Sequence, residues 1–223
     1  KFEGNNISVE SGNYVPKPFY IEADWSAASY YYAMAVLAEA ASIELKGLTN
    51  QQIQGDAVIA SIANSFGVET TWKENAVEIR KISKPDFSVF DFDFLECPDL
   101  AQTVVAFCAA LKIELHCKGL QTLRIKETDR IAALDTELQK LGLASLVELD
   151  SKNWQLISNE LNTQGTQLTP IHTYDDHRMA MAFAPLVLKL NELVIEDANV
   201  VSKSYPLFWK DLEKLGFEIT KAI

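Results

Sequence analysis

Glu127-Thr128-Asp129-Arg130-Ile131-Ala132-Ala133-Leu134-Asp135-Thr136-Glu137-Leu138-Gln139-Lys140-Leu141-Gly142 is the stretch on which the fold turns. Ile131, Leu134, Leu138 and Leu141 fall on one apolar stripe with charged residues opposite, so the spacing predicts an amphipathic helix over 127–141 that ends at a glycine. The same hydrophobic-Gly ending stands at Phe66-Gly67 and Leu215-Gly216. The intervals between the three glycines are about 75 and 74 residues, which is a repeat period. β-like runs keep similar intervals at Ile43-Glu44-Leu45, Ile113-Glu114-Leu115 and Leu193-Val194-Ile195, and extended runs resume after each glycine at 68–72, 143–149 and 217–220. Ahead of each amphipathic helix lies a helical stretch apolar on nearly every side, at 27–41, 99–111 and 178–190, which predicts burial all round. The expected fold is an inside-out α/β domain of three repeated helix-strand units, with parallel buried helices and sheets outside. Units of this length exceed ordinary solenoid repeats, so closure about a pseudo-threefold axis is expected.

Composition bounds the function. The 223 residues are 48% hydrophobic, enough for a sizeable core, and the net charge of −11 argues against a nucleic-acid partner. The apolar run 27–41 contains Tyr30, Tyr31, Tyr32 and Glu39 and is too short to span a bilayer, so a buried helix is expected and no membrane association. Cys97, Cys108 and Cys117 form neither a CxxC pair nor an even set, which predicts reduced thiols and a cytoplasmic setting. No His/Cys ligand spacing, glycine-rich nucleotide loop or hydrolase motif is present, so neither a metal nor a cofactor is expected. Lys1 is neither an initiator Met nor part of a signal peptide, which predicts an excised fragment.

Basic residues stand where helix dipoles disfavour them. Lys126 and Arg130 flank one helix start, Arg178 opens the last apolar helix behind Asp175-Asp176-His177, and Lys203 precedes the final amphipathic helix. If the units are related by symmetry, their helix N-termini share one face, and unpaired backbone N–H groups with added cations make an anion trap. Each cluster also reads as an ordinary capped helix start with solvated charge. Asp24, Asp56 and Asp99 suit N-cap or first-turn positions, the preferred reading for Asp56, whereas Glu127 lies between two cations and suits proton transfer.

The runs Leu123-Arg124-Ile125-Lys126-Glu127-Thr128-Asp129-Arg130 and Tyr174-Asp175-Asp176-His177-Arg178-Met179-Ala180-Met181 closely resemble two signatures of the 5-enolpyruvylshikimate-3-phosphate (EPSP) synthase family. Further matches follow in the family's order: Asp24-Trp25-Ser26-Ala27-Ala28-Ser29-Tyr30, Gln54-Gly55-Asp56, Pro98-Asp99 and Ser202-Lys203-Ser204-Tyr205-Pro206. The resemblance implies transfer of the enolpyruvyl group from phosphoenolpyruvate to the 5-hydroxyl of shikimate 3-phosphate, with release of phosphate. It implies that Asp99 and Lys126 hold and activate that hydroxyl and that Glu127 exchanges protons with the donor. Arg130, Arg178 and Lys203 would surround phosphoenolpyruvate, where glyphosate binds in the family. Asp24 would face substrate, and Thr122 stands where some members carry an Asn toward shikimate 3-phosphate. The family's N-terminal motifs are absent, so residues 1–14 are expected to be the end of a missing first domain or a linker, 15–223 the C-terminal domain, and the fragment inactive alone. Two other readings stand beside this one. UDP-N-acetylglucosamine enolpyruvyltransferase shares fold and donor but lacks both long runs, and a phosphate-binding module without catalysis would suit a truncated chain.

Overall fold

The computed structural model describes residues 1–50, 53–159 and 169–221. A hairpin of β1 (Phe2–Glu3) and β2 (Asn6–Ile7) comes first, and residues 8–24 follow without regular structure and largely exposed. The uninterrupted run after Asp24, free of glycine and proline, forms α1 (Trp25–Leu37), buried on nearly every side. The chain then alternates strand and helix through β3 (Ser42–Lys46), α2 (Ile59–Ser65), β4 (Val68–Lys73) and β5 (Ala76–Lys81). The second unit contains β6 (Val89–Asp93), α3 (Ala101–Leu111), β7 (Glu114–Lys118), α4 (Arg130–Lys140), β8 (Ala144–Glu148) and β9 (Asn153–Ser158). In the third are α5 (His177–Phe183), α6 (Val187–Leu190) and α7 (Phe208–Lys214).

Two sheets lie outside the helices. One has the order β3-β5-β4, all antiparallel, and the other β6-β7-β9-β8, parallel only between β6 and β7. The helices α1, α3 and α5 pack against one another in the middle. Their N-termini lie together, since Arg178 near the start of α5 reaches both Ser26 in the first turn of α1 and Asp99 just before α3. Phe66, fully buried at the end of α2, packs edge-on to Phe107 of α3 at 4.9 Å and to Phe90 of β6 at 5.0 Å, binding the first unit to the second. Lys81 donates to the carbonyls of Val36 and Phe66, both at 2.9 Å, and so satisfies acceptors at the ends of two helices.

The glycine that closes the first repeat is required sterically. Gly67 has φ +78°, and a Cβ there would stand 2.2 Å from the Ser83 carbonyl oxygen. Gly67→Ala is therefore expected to lower the unfolding free energy by more than about 2 kcal/mol, read from urea denaturation midpoints at constant slope.

Several expectations need correction. The amphipathic helix starts at Arg130 rather than 127, because Asp129 caps it by accepting from the backbone N–H groups of Ile131 and Ala132, both at 3.1 Å. The last apolar helix is broken into α5, a 3-10 turn at Ala184–Leu186 and α6, since Pro185 cannot donate to the ladder. Among the described residues the third unit has no sheet of its own. The run 193–195 makes one parallel bridge, Ile171 to Ile195, and 217–220 pairs with no neighbouring strand, so its backbone groups lack a ladder. The hairpin partners β5 and β9 and the connecting strand β6 escaped the repeat-based reading, which followed one strand per helix.

Candidate active site

Four helix starts deliver side chains to one place. Asp24 caps α1, accepting from Ser26 N at 2.8 Å and Ala27 N at 3.3 Å. Asp99 lies in the 3-10 turn Pro98–Leu100 that leads into α3. Arg130 is the first residue of α4, and Asp176 caps α5 by accepting from Arg178 N at 2.9 Å.

Asp99 is the centre of this cluster. Its Oδ1 meets Lys126 Nζ at 3.3 Å and Arg130 Nη1 at 3.0 Å, while Oδ2 accepts from Arg178 Nη2 at 3.0 Å. Burial opposes its charged form, yet Arg178, Lys126 and Arg130 outweigh burial and hold its pKa below the ordinary carboxyl value. Asp99 is thus an ionised acceptor at neutral pH. Glu127 sits in the non-helical lip before α4 and accepts from Arg130 Nη2 at 2.5 Å. Its partial burial is likewise overcome, by its own backbone N–H and by Arg130, His177 and Arg178, so its pKa is also lowered.

Arg130 is 1% exposed, and its Nε, Nη1 and Nη2 all point at carboxylates: Asp176 at 2.7 Å, Asp99 at 3.0 Å and Glu127 at 2.5 Å. It is a hub that fixes three acids in register. Arg178 is more open, 14% exposed at the side chain, and borders a small cleft with Asp24, Ser26, Tyr30, Ser204 and Tyr205. Burial would lower its pKa, but Tyr30, Asp99 and Asp56 keep it above the usual arginine value. Burial pushes His177 the other way, below the ordinary histidine value, against the pull of Asp176, so it is neutral at pH 7.

The remaining expected site residues sit nearer the edge. Lys203 donates to the Asp175 carbonyl and pairs with its carboxylate, each at 2.7 Å, which brings it beside the turn leading into α5. Thr122 is exposed in the 3-10 turn Gln121–Ile125, and among the described residues no hydrogen bond ties it to the Asp99 cluster. The face is not the purely basic patch that cations at helix starts suggested. Every cation just named is matched by an acid.

Two residues contribute more than their sequence context disclosed. Asp176, 0% exposed, is both the cap of α5 and the partner of Arg130, although only its position in a motif marked it. Asp56 accepts from the Ser26 hydroxyl, which in turn accepts from Arg178 Nη2 at 3.4 Å, so this acid supports the arginine from behind. Burial raises its pKa. A usable signal for Asp176 was an acid at a helix start that also carries a cation; no cation stands beside Asp56 in the sequence.

Comparison with known proteins gives the family and the fold. The family model for EPSP synthase (3-phosphoshikimate 1-carboxyvinyltransferase) matches residues 2–212. The 3-phosphoshikimate 1-carboxyvinyltransferase of Bacteroides fragilis is 45% identical over 215 residues, covering 96% of this chain and 51% of that protein. The Clostridium kluyveri protein of the same name is 37% identical over 200 residues, 89% of this chain and 44% of its own length. Among solved structures, an EPSP synthase from Acinetobacter baumannii superimposes with a TM-score of 0.68 at 18% identity, over 87% of this chain and 46% of that one. The enolpyruvyl transferase NikO from Streptomyces tendae gives 0.55 at 16% identity, over 90% and 44%. These two show the fold. The chain spans about half the length of the curated relatives it matches.

Proposed function

The chain belongs to the EPSP synthase family, and from that premise we propose that it supplies the acid–base groups and part of the anion clamps for transfer of the enolpyruvyl group from phosphoenolpyruvate to the 5-hydroxyl of shikimate 3-phosphate. The observation that carries this reading is Asp99, ionised and gripped by Lys126, Arg130 and Arg178, with Glu127 on the same arginine. Such an arrangement suits a reaction in which a hydroxyl adds to C2 of the donor while a proton goes to its methylene carbon. Collapse of the tetrahedral adduct then expels phosphate and returns a methyl proton to the protein.

In that scheme Asp99 takes the proton of the attacking hydroxyl as the C–O bond forms, Lys126 beside it stabilises the developing oxyanion, and that proton leaves with the expelled phosphate. Glu127 carries the proton in both directions. Its lowered pKa in the ligand-free site is the reason it first needs the negative charge of two phosphorylated substrates nearby, which raises a carboxyl pKa toward neutrality. Arg178 and Lys203 take the donor's phosphate and carboxylate, and Arg130 keeps Asp99 and Glu127 apart and aimed. Asp24 is assigned to substrate because it borders the cleft with Arg178, and Thr122 to the shikimate side.

Residues 1–14 are proposed to lead from a first domain, and 15–223 to form the second; within that range 51, 52, 160–168, 222 and 223 lie outside the described residues. The partner is that first domain, with neither nucleic acid nor membrane involved. Among the described residues no helix is long and apolar enough to cross a membrane. A cytoplasmic setting suits three buried, unpaired thiols. Titration calorimetry tests the ligand assignment. Shikimate 3-phosphate and phosphoenolpyruvate together are expected to bind this chain at least about tenfold more tightly than sulfate or inorganic phosphate, as directed hydrogen bonds add to charge. Equal response to all four anions would instead indicate a phosphate-binding module without catalysis.

A further inference from the structure

We infer that Glu137 and Tyr174 are positioning residues of the candidate site: Glu137 fixes, through the Tyr174 hydroxyl, the left-handed turn that sets Asp176 against Arg130 and starts the helix carrying Arg178. Glu137 is 0% exposed, an uncommon place for a carboxylate, and its side-chain bonds run to the approach to α5 and to Lys140. Oε1 accepts from the Tyr174 hydroxyl at 2.7 Å. Oε2 accepts from His172 N at 3.2 Å and pairs with Lys140 Nζ at 2.7 Å. Lys140 in turn donates to the Pro170 carbonyl at 2.9 Å, so the same anchor reaches two residues further upstream.

Directly after this anchor come two consecutive non-glycine residues in the left-handed region, Tyr174 at φ 55° and Asp175 at φ 56°. L-residues adopt that conformation only where neighbouring contacts impose it, and one such pair ahead of Asp176 therefore needs a restraint on each side. Glu137 supplies the upstream restraint. Lys203, on the Asp175 carbonyl at 2.7 Å, and Arg130, on Asp176 at 2.7 Å, supply the downstream ones. Arg130 and Glu137 are separated by seven positions, about two helical turns, and so project from one side of α4 roughly 10 Å apart. One helix face thus clamps the segment 172–176 at two points, and the strained turn is held between them.

The part of this inference that concerns Arg178 rests on the functional reading above. The part that concerns Arg130 does not. The chain has four arginines, Arg80, Arg124, Arg130 and Arg178, so their side-chain Nε–Hε signals can be followed singly by NMR in the isolated chain, with inorganic phosphate as the anionic probe. Tyr174→Phe removes one hydroxyl and is expected to speed solvent exchange at Arg130 Nε–Hε roughly tenfold or more, while Arg80 and Arg124 stay unchanged. Phosphate should then need a roughly tenfold higher concentration to shift Arg178. Glu137→Gln is expected to stay within about twofold of the parent on both readouts, because its amide can donate to the Tyr174 oxygen while its carbonyl accepts from His172 N. General loosening would move all four arginines together and so overturn the assignment. Unchanged Arg130 exchange in Tyr174→Phe would overturn it as well, as would an unchanged phosphate response at Arg178. Should phosphate leave Arg178 unmoved in the parent chain, the functional reading fails, and Arg130 exchange alone decides the role of Glu137 and Tyr174.

Discussion

Asp176→Ala is expected to cost the domain about 3–5 kcal/mol, a large part of the 5–15 kcal/mol that holds an ordinary domain together. Asp176 is wholly buried and carries two duties at once. It caps α5 through Arg178 N and neutralises the buried guanidinium of Arg130 through Nε and Nη2. Its removal leaves Arg130 short of one of three acids in a place with almost no water, and an unpaired buried charge is among the few single changes that cost so much. Asp99 and Glu127 still compensate in part, which is why the domain is not expected to lose more. Urea unfolding of the variant measures this directly. A loss below about 1 kcal/mol would mean that water reaches Arg130 freely and that the hub is not a buried one.

Glu127→Gln in the chain joined to the proposed first domain is expected to leave substrate binding within a few-fold and to cut turnover roughly 10²-fold or more, as loss of an acid–base group does. The substitution keeps length and hydrogen-bonding capacity while removing the exchangeable proton. Arg130 Nη2 can still donate to the amide oxygen, so the effect on Asp99 through the shared arginine should be small. Rapid-quench measurement of the chemical step separates this from product release. Near-parental turnover would remove Glu127 from proton transfer and pass that duty to another group, His177 being neutral and close by.

The repeat was legible in the sequence because its signals are local. Phe66-Gly67 and Leu141-Gly142 end helices α2 and α4 as read, and the strands after them, β4 and β8, form where the period put them. Asp129 displaced the start of α4 because a cap competes with the apolar stripe in a way that spacing alone does not weigh. The third unit departs because strand formation depends on a neighbour. No property of Leu193-Val194-Ile195 itself says whether one is at hand. Within the site, Asp99, Lys126, Glu127, Arg130 and Arg178 were each visible as charges at helix starts and do converge. What the pattern could not disclose is pairing between residues far apart in sequence, both within a unit and across units. That Arg130 is a buried hub, that Asp56 stands behind Ser26 and that Glu137 anchors Tyr174 are contacts between residues 30 to 46 positions apart in sequence.

The division of the reaction between this chain and a first domain is the central claim. Three apolar helices with sheets outside give the chain a core of its own, and the proposed reaction is assigned a second face that completes the anion clamps and excludes water. The decisive measurement is phosphate release with phosphoenolpyruvate and shikimate 3-phosphate at saturation, from this chain alone and from the chain mixed with a separately expressed first domain. Release is expected only from the mixture. Release from the chain alone at a rate comparable to the mixture would contradict the account.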